Sequence, residues 1–182
     1  MRRLLTGRPF TGALIGCVVA VVFVSPPAFA LQKQRLGWIE WAWLQPGHIK
    51  VKTKLDTGAK TSSIHAVGIE AFERKGETWV RFRIPLKQRP DDSDHGADVD
   101  VERPVVRETR IKEHARDSVT RYVVEMDLCI GGMTFTTPMT LADRGRFNYP
   151  LLLGRSALKG RMVIDPARTF TASESCEVAV QN

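Results

Sequence analysis

The chain has 182 residues, with 27 lysines and arginines against 20 aspartates and glutamates and a formal net charge of +7. This length allows one domain with a sizeable hydrophobic core. Residues 1–30 hold three of the arginines and no acidic residue, so the remainder has 24 basic against 20 acidic residues and a net charge of +4. So mild an excess does not require a nucleic-acid partner, and we expect none.

The first segment, residues 1–30, is typical of a secretory signal peptide. Its arginines come first, an apolar stretch follows at 13–24, and Ala28-Phe29-Ala30 provides a small-x-small end. The apolar stretch is shorter than the about 20 residues of a membrane span. We therefore expect cleavage after Ala30, a periplasmic or secreted protein and no stable membrane span. Lipid attachment at Cys17 is a minor alternative, because the hydrophobic run continues past it.

Alternation of apolar and polar residues with period two dominates the rest of the chain and predicts β-strands. The clearest strand, 48–55, places Ile49, Val51, Thr53 and Leu55 on one face and His48, Lys50, Lys52 and Lys54 on the other. Further strands are predicted at 78–84, 120–130 and 134–141, with a hairpin turn at Gly131-Gly132. One short helix is expected at 155–159, where Gly160 stops it.

Residues 85–118 differ from the predicted strands, because prolines punctuate a stretch dense in both charge signs. We interpret it as a long flap-like excursion that contains a hairpin and is mobile at its acidic end. The domain is then expected at 31–172, with a flexible tail at 173–182. Cys129 and Cys176 either form a disulfide that ties down the tail or remain two unpaired thiols.

A candidate for chemistry follows the clearest strand, in the run Leu55-Asp56-Thr57-Gly58-Ala59. The strand brings Asp56 to its end, Gly58 permits a tight turn, and the Thr57 hydroxyl can fix the neighbouring backbone. The same residue types also favour a plain turn. A second element, Pro150-Leu151-Leu152-Leu153-Gly154-Arg155, is an apolar run that ends in glycine and opens the short helix.

Together these motifs resemble the retropepsin-like aspartic peptidases. The narrower resemblance is to a bacterial family labelled ATP-dependent zinc proteases or ribosomal-modification-associated proteins. It covers about residues 36–170, from Gly37-Trp38-Ile39-Glu40-Trp41 to Gly160-Arg161-Met162-Val163-Ile164-Asp165-Pro166. The resemblance implies an all-β fold, a small closed or partly open β-barrel with a flap hairpin and one short C-terminal helix. It also implies a strand–turn–helix at Leu151–Arg155 that braces the catalytic loop.

The resemblance implies an exported aspartic endopeptidase in which Asp56 is catalytic and Thr57 and Gly58 hold its loop. Such chemistry uses two carboxylates that share one proton. The chain has one Asp-Thr-Gly, so a homodimer that pairs Asp56 with its copy is expected. Peptides or proteins are the expected substrates, and the rival function is a non-catalytic peptide- or partner-binding regulatory module.

Substrate contacts are expected from Ala59, Lys60 and Arg107, since a cationic cleft would favour acidic peptides. A solvated Lys60 and a salt-bridged Arg107 are the alternatives. The sequence has no zinc-ligand motif and no phosphate-binding glycine loop, so we expect no cofactor and no metal. Asp143-Arg144-Gly145 is interpreted as a turn with a salt-bridging arginine, and His65 as a hydrogen-bonded structural histidine.

Overall fold

The structure is a computed structural model that describes residues 33–45, 49–85, 98–113, 116–172 and Cys176, leaving aside the side chains of 111–113 and 116–118. The predicted signal peptide, the acidic end of the excursion and most of the predicted tail lie outside these residues. The elements, in chain order, are β1 (Gln34–Gln45), β2 (Ile49–Asp56), β3 (Ser62–His65), β4 (Val67–Arg74), β5 (Glu77–Ile84), β6 (Val99–Glu113), β7 (Arg116–Ile130), β8 (Met133–Ala142), β9 (Leu151–Gly154), α1 (Arg155–Leu158) and β10 (Met162–Thr169).

Six of these strands close into a barrel, in the order β1-β2-β9-β3-β8-β7 and back to β1. The closing contact is antiparallel and pairs Trp43 with Cys129 and Leu44 with Leu128. Strand β10 extends the sheet beyond β1, while β6, β5 and β4 extend it beyond β7. The all-β, retropepsin-like barrel expected from the sequence is therefore confirmed.

The barrel interior is filled by the apolar face of each strand. In β2, Ile49, Val51 and Leu55 are buried and alternate with half-buried lysines. Such alternation is what a strand with one face on the core requires. The largest fully buried side chains come from several strands and include Phe82, Leu44, Ile64, Met126, Leu128, Met139, Leu141 and Leu153.

The predicted strands are present with small changes at their ends. The turn at Gly131 and Gly132 has φ of 58° and 78°, the left-handed values that a two-residue hairpin requires. The excursion contains the predicted hairpin, but its strands β6 and β7 are 15 residues each. Strands β3, β4 and β10 were not predicted. β3 has only four residues, and β4 and β10 have partly exposed faces that weaken the alternation.

Two contacts attach the residues after β10 to the barrel, one at β7 and one at β1. Cys129 and Cys176 form a disulfide, the alternative that the sequence left open. The buried carboxylate of Glu40 accepts hydrogen bonds from the backbone N–H groups of Gly37 (2.7 Å), Thr171 (2.9 Å) and Ala172 (3.1 Å). Glu40 therefore holds the segment after β10 against the first strand.

Candidate functional site

Asp56 lies at the end of β2, where the chain turns away from the barrel. Its Oδ1 accepts hydrogen bonds from the backbone N–H groups of Gly58 at 2.9 Å and Ala59 at 3.3 Å. Its Oδ2 accepts one from Lys54 Nζ at 2.9 Å, and 21% of the Asp56 side chain is exposed. The carboxylate is thus oriented by three donors and remains accessible to a ligand.

These donors determine the ionisation of Asp56. The hydrogen bond from Lys54 lowers the pKa of Asp56 below its ordinary value, partial burial opposes that effect, and the Gly58 and Ala59 N–H groups add to the lowering. Each donor favours the charged carboxylate over the neutral acid. Lys54 was not predicted as a site residue. The alternation of β2 was the available signal, since residues two apart on a strand share a face.

A brace holds the Asp56 loop from behind, as the resemblance implied. Arg155 Nη1 donates to the carbonyl oxygens of Thr57 and Gly58, each at 2.8 Å. The Arg155 backbone N–H donates to Ala59 O at 2.9 Å, and Ser156 Oγ donates to Lys60 O at 2.9 Å. The start of α1 therefore fixes four consecutive carbonyl groups of the loop.

Gly154 allows this brace to approach so closely. A Cβ atom at this position would lie 2.5 Å from Thr61 O and 2.7 Å from Thr61 C. The Gly154 N–H donates to Ser62 Oγ at 3.2 Å. The Gly154 φ of −89° is accessible to any residue, so backbone conformation does not require glycine here. Glycine is required because the Gly154 and Thr61 backbones are in contact.

A second Asp-x-Gly turn follows β8. Asp143 Oδ1 accepts a hydrogen bond from the Gly145 N–H at 2.9 Å, as Asp56 Oδ1 does from Gly58. His65 Nδ1 lies 3.6 Å from Asp143 Oδ1 but accepts the Arg144 N–H at 2.8 Å. Because this nitrogen acts as an acceptor, it has no proton to offer Asp143. His65 is thus the hydrogen-bonded structural histidine that the sequence predicted.

Arg144 differs from its predicted role in this turn. The side chain turns inward and is 8% exposed. Its Nη1 donates to Ser63 Oγ at 2.8 Å and its Nε donates to Tyr149 O at 3.1 Å. Among the described residues no carboxylate forms an ion pair with it, so the predicted salt-bridging arginine is wrong. Burial lowers the pKa of Arg144, Arg121 lowers it further, and Asp56 raises it.

The other predicted site residues lie in the Asp56 loop, except Arg107. Thr57 and Gly58 are exposed in the loop, and the hydrogen bond described for Thr57 uses its carbonyl oxygen rather than its hydroxyl. The carbonyl oxygens of Ala59 and Lys60 accept hydrogen bonds from the start of α1, and the Lys60 side chain is exposed. Arg107 is exposed on β6 opposite Val123, and none of the contacts in the described ranges joins it to Asp56.

A row of lysines leads to Asp56 along one face of β2. Lys50 Nζ lies 4.8 Å from the Trp41 ring centroid and 5.5 Å from that of Trp43. Lys52 Nζ lies 5.5 Å from the Trp41 centroid. Lys54 comes next and bonds Asp56. Two of the three ammonium groups are therefore held by cation–π contacts, and the third is held by the site carboxylate.

The part of the chain that the structure covers contains neither a metal-binding cluster nor a membrane-spanning helix. No group of three or more histidine, cysteine, aspartate or glutamate side chains is arranged there to hold a metal ion. Its helical content includes no segment of sufficient length and hydrophobicity to cross a bilayer.

A family model described as "Retropepsin-like aspartic endopeptidase RimB" matches residues 35–175. The chain belongs to the RimB-like family. A crystal structure of a Legionella pneumophila protein of unknown function is similar, with a TM-score of 0.66 and 35% identity, over 78% of this chain and 100% of that one. The family resemblance drawn from the motifs is therefore confirmed.

Curated relatives carry a different name. A probable alpha-L-glutamate ligase of Desulfotalea psychrophila is 37% identical over 75% of this chain and 29% of its own length. One of Shewanella pealeana is 34% identical over 80% of this chain and 31% of its own length. The chain thus spans less than a third of the curated relatives it matches.

These relatives overturn the function expected from the sequence. Proteins 33–37% identical to this chain are named probable alpha-L-glutamate ligases rather than exported aspartic endopeptidases. The expectation of an exported endopeptidase that cuts between two Asp56 carboxylates is therefore wrong. It failed because Asp-Thr-Gly and its brace specify a fold and a loop, whereas function depends on the site that the fold carries. The chain still belongs to a family that is described as enzymatic.

Proposed function

We propose that this protein binds glutamyl chains, the acidic products of an alpha-L-glutamate ligase, as a ligase-associated member of the RimB-like family. The name of the curated relatives supports this substrate class. The observation that carries the proposal is the row of Lys50, Lys52 and Lys54, which shares one face of β2 and ends at Asp56.

The spacing of the row fits an extended acidic chain. Successive lysines of the row are two residues apart, so their Cα atoms are about 6.7 Å apart along the strand. An extended chain of glutamates presents a carboxylate on each face at the same interval. A glutamyl chain that runs along β2 can therefore place one carboxylate near each ammonium group, with its next residue beside Asp56.

Aromatic side chains restrict the lysines of this face before a ligand binds. Trp41 and Trp43 hold the ammonium groups of Lys50 and Lys52 by their ring faces, and Phe170 stacks on Trp41 with centroids 5.7 Å apart. Lysines held in this way lose less side-chain entropy when a carboxylate arrives. Each exposed lysine–carboxylate pair contributes only about 0.2–1 kcal/mol, so affinity should grow with chain length.

An aspartic-type hydrolase acting on glutamyl amide bonds is a second candidate. It is favoured by the description of the family model and by the accessible Asp56 carboxylate, which three donors orient. In this candidate Asp56, Thr57 and Gly58 form the reacting loop. Mass spectrometry of a glutamyl peptide incubated with the protein, and with Asp56→Asn, distinguishes the two candidates. Shortened peptide with the wild type alone supports the hydrolase.

Binding to α-linked oligoglutamates of two, four, six and eight residues tests the main proposal. Titration calorimetry should show affinity that rises with length and falls with added salt. Lys52→Gln should weaken binding of the longer chains, while Lys75→Gln, in the exposed β4–β5 turn, should not. Equal affinity for oligoglutamate and for an uncharged glycine–serine peptide would refute the proposal.

A further inference from the structure

The buried guanidinium of Arg144 has no carboxylate partner among the described residues. The guanidinium of Arg144 donates to Ser63 Oγ and to Tyr149 O, and it lies 4.7 Å from the Phe147 ring centroid. All three contacts are neutral groups. A buried charge that is hydrogen-bonded but not neutralised is costly and normally acquires a partner of opposite sign.

The surroundings of Arg144 increase this imbalance. Arg121 is near enough to repel it, and Asp56 is near enough to attract it. Asp56 already accepts hydrogen bonds from Lys54 and from two backbone N–H groups. Asp56 is therefore already engaged by other donors, so a further negative charge beside Arg144 would be stabilised.

An open cleft lies beside the turn that contains Arg144, since Asp143 and Arg146 line it. It has a volume of about 610 Å³ and lies between β7 and the end of β8. Arg121 and Arg146 provide positive charge at its wall, Tyr122 and Ile69 provide apolar surface, and Asp143 is the acidic residue among its lining groups. The two arginines in its wall, with Arg144 next to Asp143 in the chain, favour an anion over a cation at this cleft.

The fixed geometry of Arg144 suits a planar anion. Its described hydrogen bonds use Nε and Nη1, which leaves Nη2 for a ligand. Ser63 on β3 and Tyr149 before β9 hold the guanidinium plane from two sides. A guanidinium that is already oriented binds a carboxylate with less loss of side-chain freedom than a flexible lysine does.

We infer that Arg144 is the specificity-determining residue for glutamate, and that its guanidinium binds the γ-carboxylate of the glutamyl residue placed beside Asp56. Arg121 and Arg146 extend the same positive field across the cleft. This inference rests on the proposed function, because it assigns one subsite to the glutamyl chain that the lysine row holds. It adds a length requirement, since a rigid, inward-turned guanidinium favours the reach of a glutamyl side chain over the shorter aspartyl one.

The test compares the affinities of hexaglutamate, hexaaspartate and hexaglutamine for the full chain. The wild type should prefer hexaglutamate to hexaaspartate by about tenfold, the worth of one charge-assisted hydrogen bond. Arg144→Lys should bind both acidic peptides through the lysine row but lose this preference. An amidated C-terminus on each peptide excludes the terminal carboxylate as the group that is bound.

Two further variants protect the test against a loss of folding. Ser63→Ala removes the hydroxyl that orients Nη1 and should lower both Tm and the preference for hexaglutamate, whereas a merely structural Ser63 would lower Tm and leave the preference unchanged. Arg146→Gln, at an exposed position, should weaken both acidic peptides equally. If Arg144→Lys and Ser63→Ala both retain the wild-type preference, the inference is overturned while the proposed function stands.

Glutarate, a small dicarboxylate, distinguishes failure of the Arg144 subsite from failure of the proposed function. Titration of the wild type with glutarate, observed through arginine side-chain Nε–Hε signals, should shift the Arg144 signal. A shift with glutarate but no binding of hexaglutamate would keep the Arg144 subsite and refute the glutamyl-chain function. Binding of hexaglutamate without any shift at Arg144 would do the reverse.

Discussion

Two Asp-x-Gly turns in the described part of the chain share one backbone hydrogen bond and differ in chemistry. In each turn the aspartate Oδ1 accepts the glycine N–H at 2.9 Å. The Asp56 side chain is 21% exposed and bonded to Lys54, whereas that of Asp143 is 82% exposed. The middle residue differs as well, since Thr57 is exposed and Arg144 is buried. The same turn therefore presents a carboxylate in one case and anchors a cation in the other.

The support behind each turn also differs. The Asp56 turn is held through its carbonyl groups by Arg155 and by the close approach of Gly154 to Thr61. In the Asp143 turn, the Arg144 N–H donates to the ring of His65 and the Arg144 carbonyl accepts the Phe147 N–H. Carbonyl groups held by a helix start make a rigid loop, so the Asp56 turn should be the harder to deform and the more sensitive to changes in its brace.

Gly154→Ala should have the largest effect. The added Cβ would meet the Thr61 backbone at 2.5 Å, which no side-chain rotation relieves. We expect a loss of about 3 kcal/mol in the free energy of unfolding, measured with urea, because overpacking shifts backbone. Binding of oligoglutamate at the Asp56 turn should be lost, while the Asp143 turn keeps its hydrogen bond to His65.

Gly68→Ala provides the matched control for Gly154→Ala. Gly68 has a φ of 60° and open space around it, so alanine there strains the backbone without a clash. It should lose about 1 kcal/mol and leave the Asp56 turn intact. Equal losses for the two variants would show that the contact between Gly154 and Thr61 is not the cause.

His65→Phe should have the next largest effect, and on the other turn. The ring volume is kept, but the Arg144 N–H loses the acceptor that it reaches at 2.8 Å. A buried N–H without a partner costs about 2 kcal/mol. His65→Gln, which keeps an acceptor, should lose less. Urea denaturation of both variants checks this expectation, and a His65→Phe protein as stable as the wild type would contradict it.

The sequence predicted the fold better than the chemistry, for physical reasons visible in single residues. The alternation of Val51, Thr53 and Leu55 is local and reports directly which face meets the core. The inward turn of Arg144 depends on Ser63, about 80 positions away in the chain, and on a carbonyl of Tyr149. No local pattern reports such contacts. Lys54 could have been predicted from the sequence, because residues 54 and 56 of one strand lie on the same face.

Gly58→Ala and Gly145→Ala form a matched pair that compares the turns directly. The new Cβ would lie 3.1 Å from Asp56 Oδ1 in one variant and 3.2 Å from Asp143 Oδ1 in the other. Both contacts are tight but can relax, so each should lose about 1 kcal/mol or less. Gly58→Ala should weaken the binding of every oligoglutamate, whereas Gly145→Ala, between Arg144 and Arg146, should mainly lower the preference for hexaglutamate over hexaaspartate. Loss of that preference in Gly58→Ala alone would contradict the assignment of the Asp143 turn to glutamate recognition.

Lys54→Gln should have the smallest effect on stability and the clearest effect on ionisation. The hydrogen bond from Lys54 is the main cause of the lowered pKa of Asp56, so its removal should raise that pKa. Because the folded-state pKa lies below the unfolded value, Asp56 stabilises the fold above the unfolded pKa. That contribution is lost as the pH falls through the folded pKa. The variant should therefore lose less stability than the wild type on acidification.

The titration of the Asp56 carboxyl carbon by nuclear magnetic resonance measures this shift directly. Lys52→Gln is the matched control, since Lys52 lies on the same face but contacts Trp41 and Phe170 instead of Asp56. A midpoint that moves equally in both variants would assign the lowered pKa to the general field of the lysine row. A midpoint that moves in Lys54→Gln alone assigns it to one hydrogen bond. This bond is what most distinguishes the environment of Asp56 from that of Asp143.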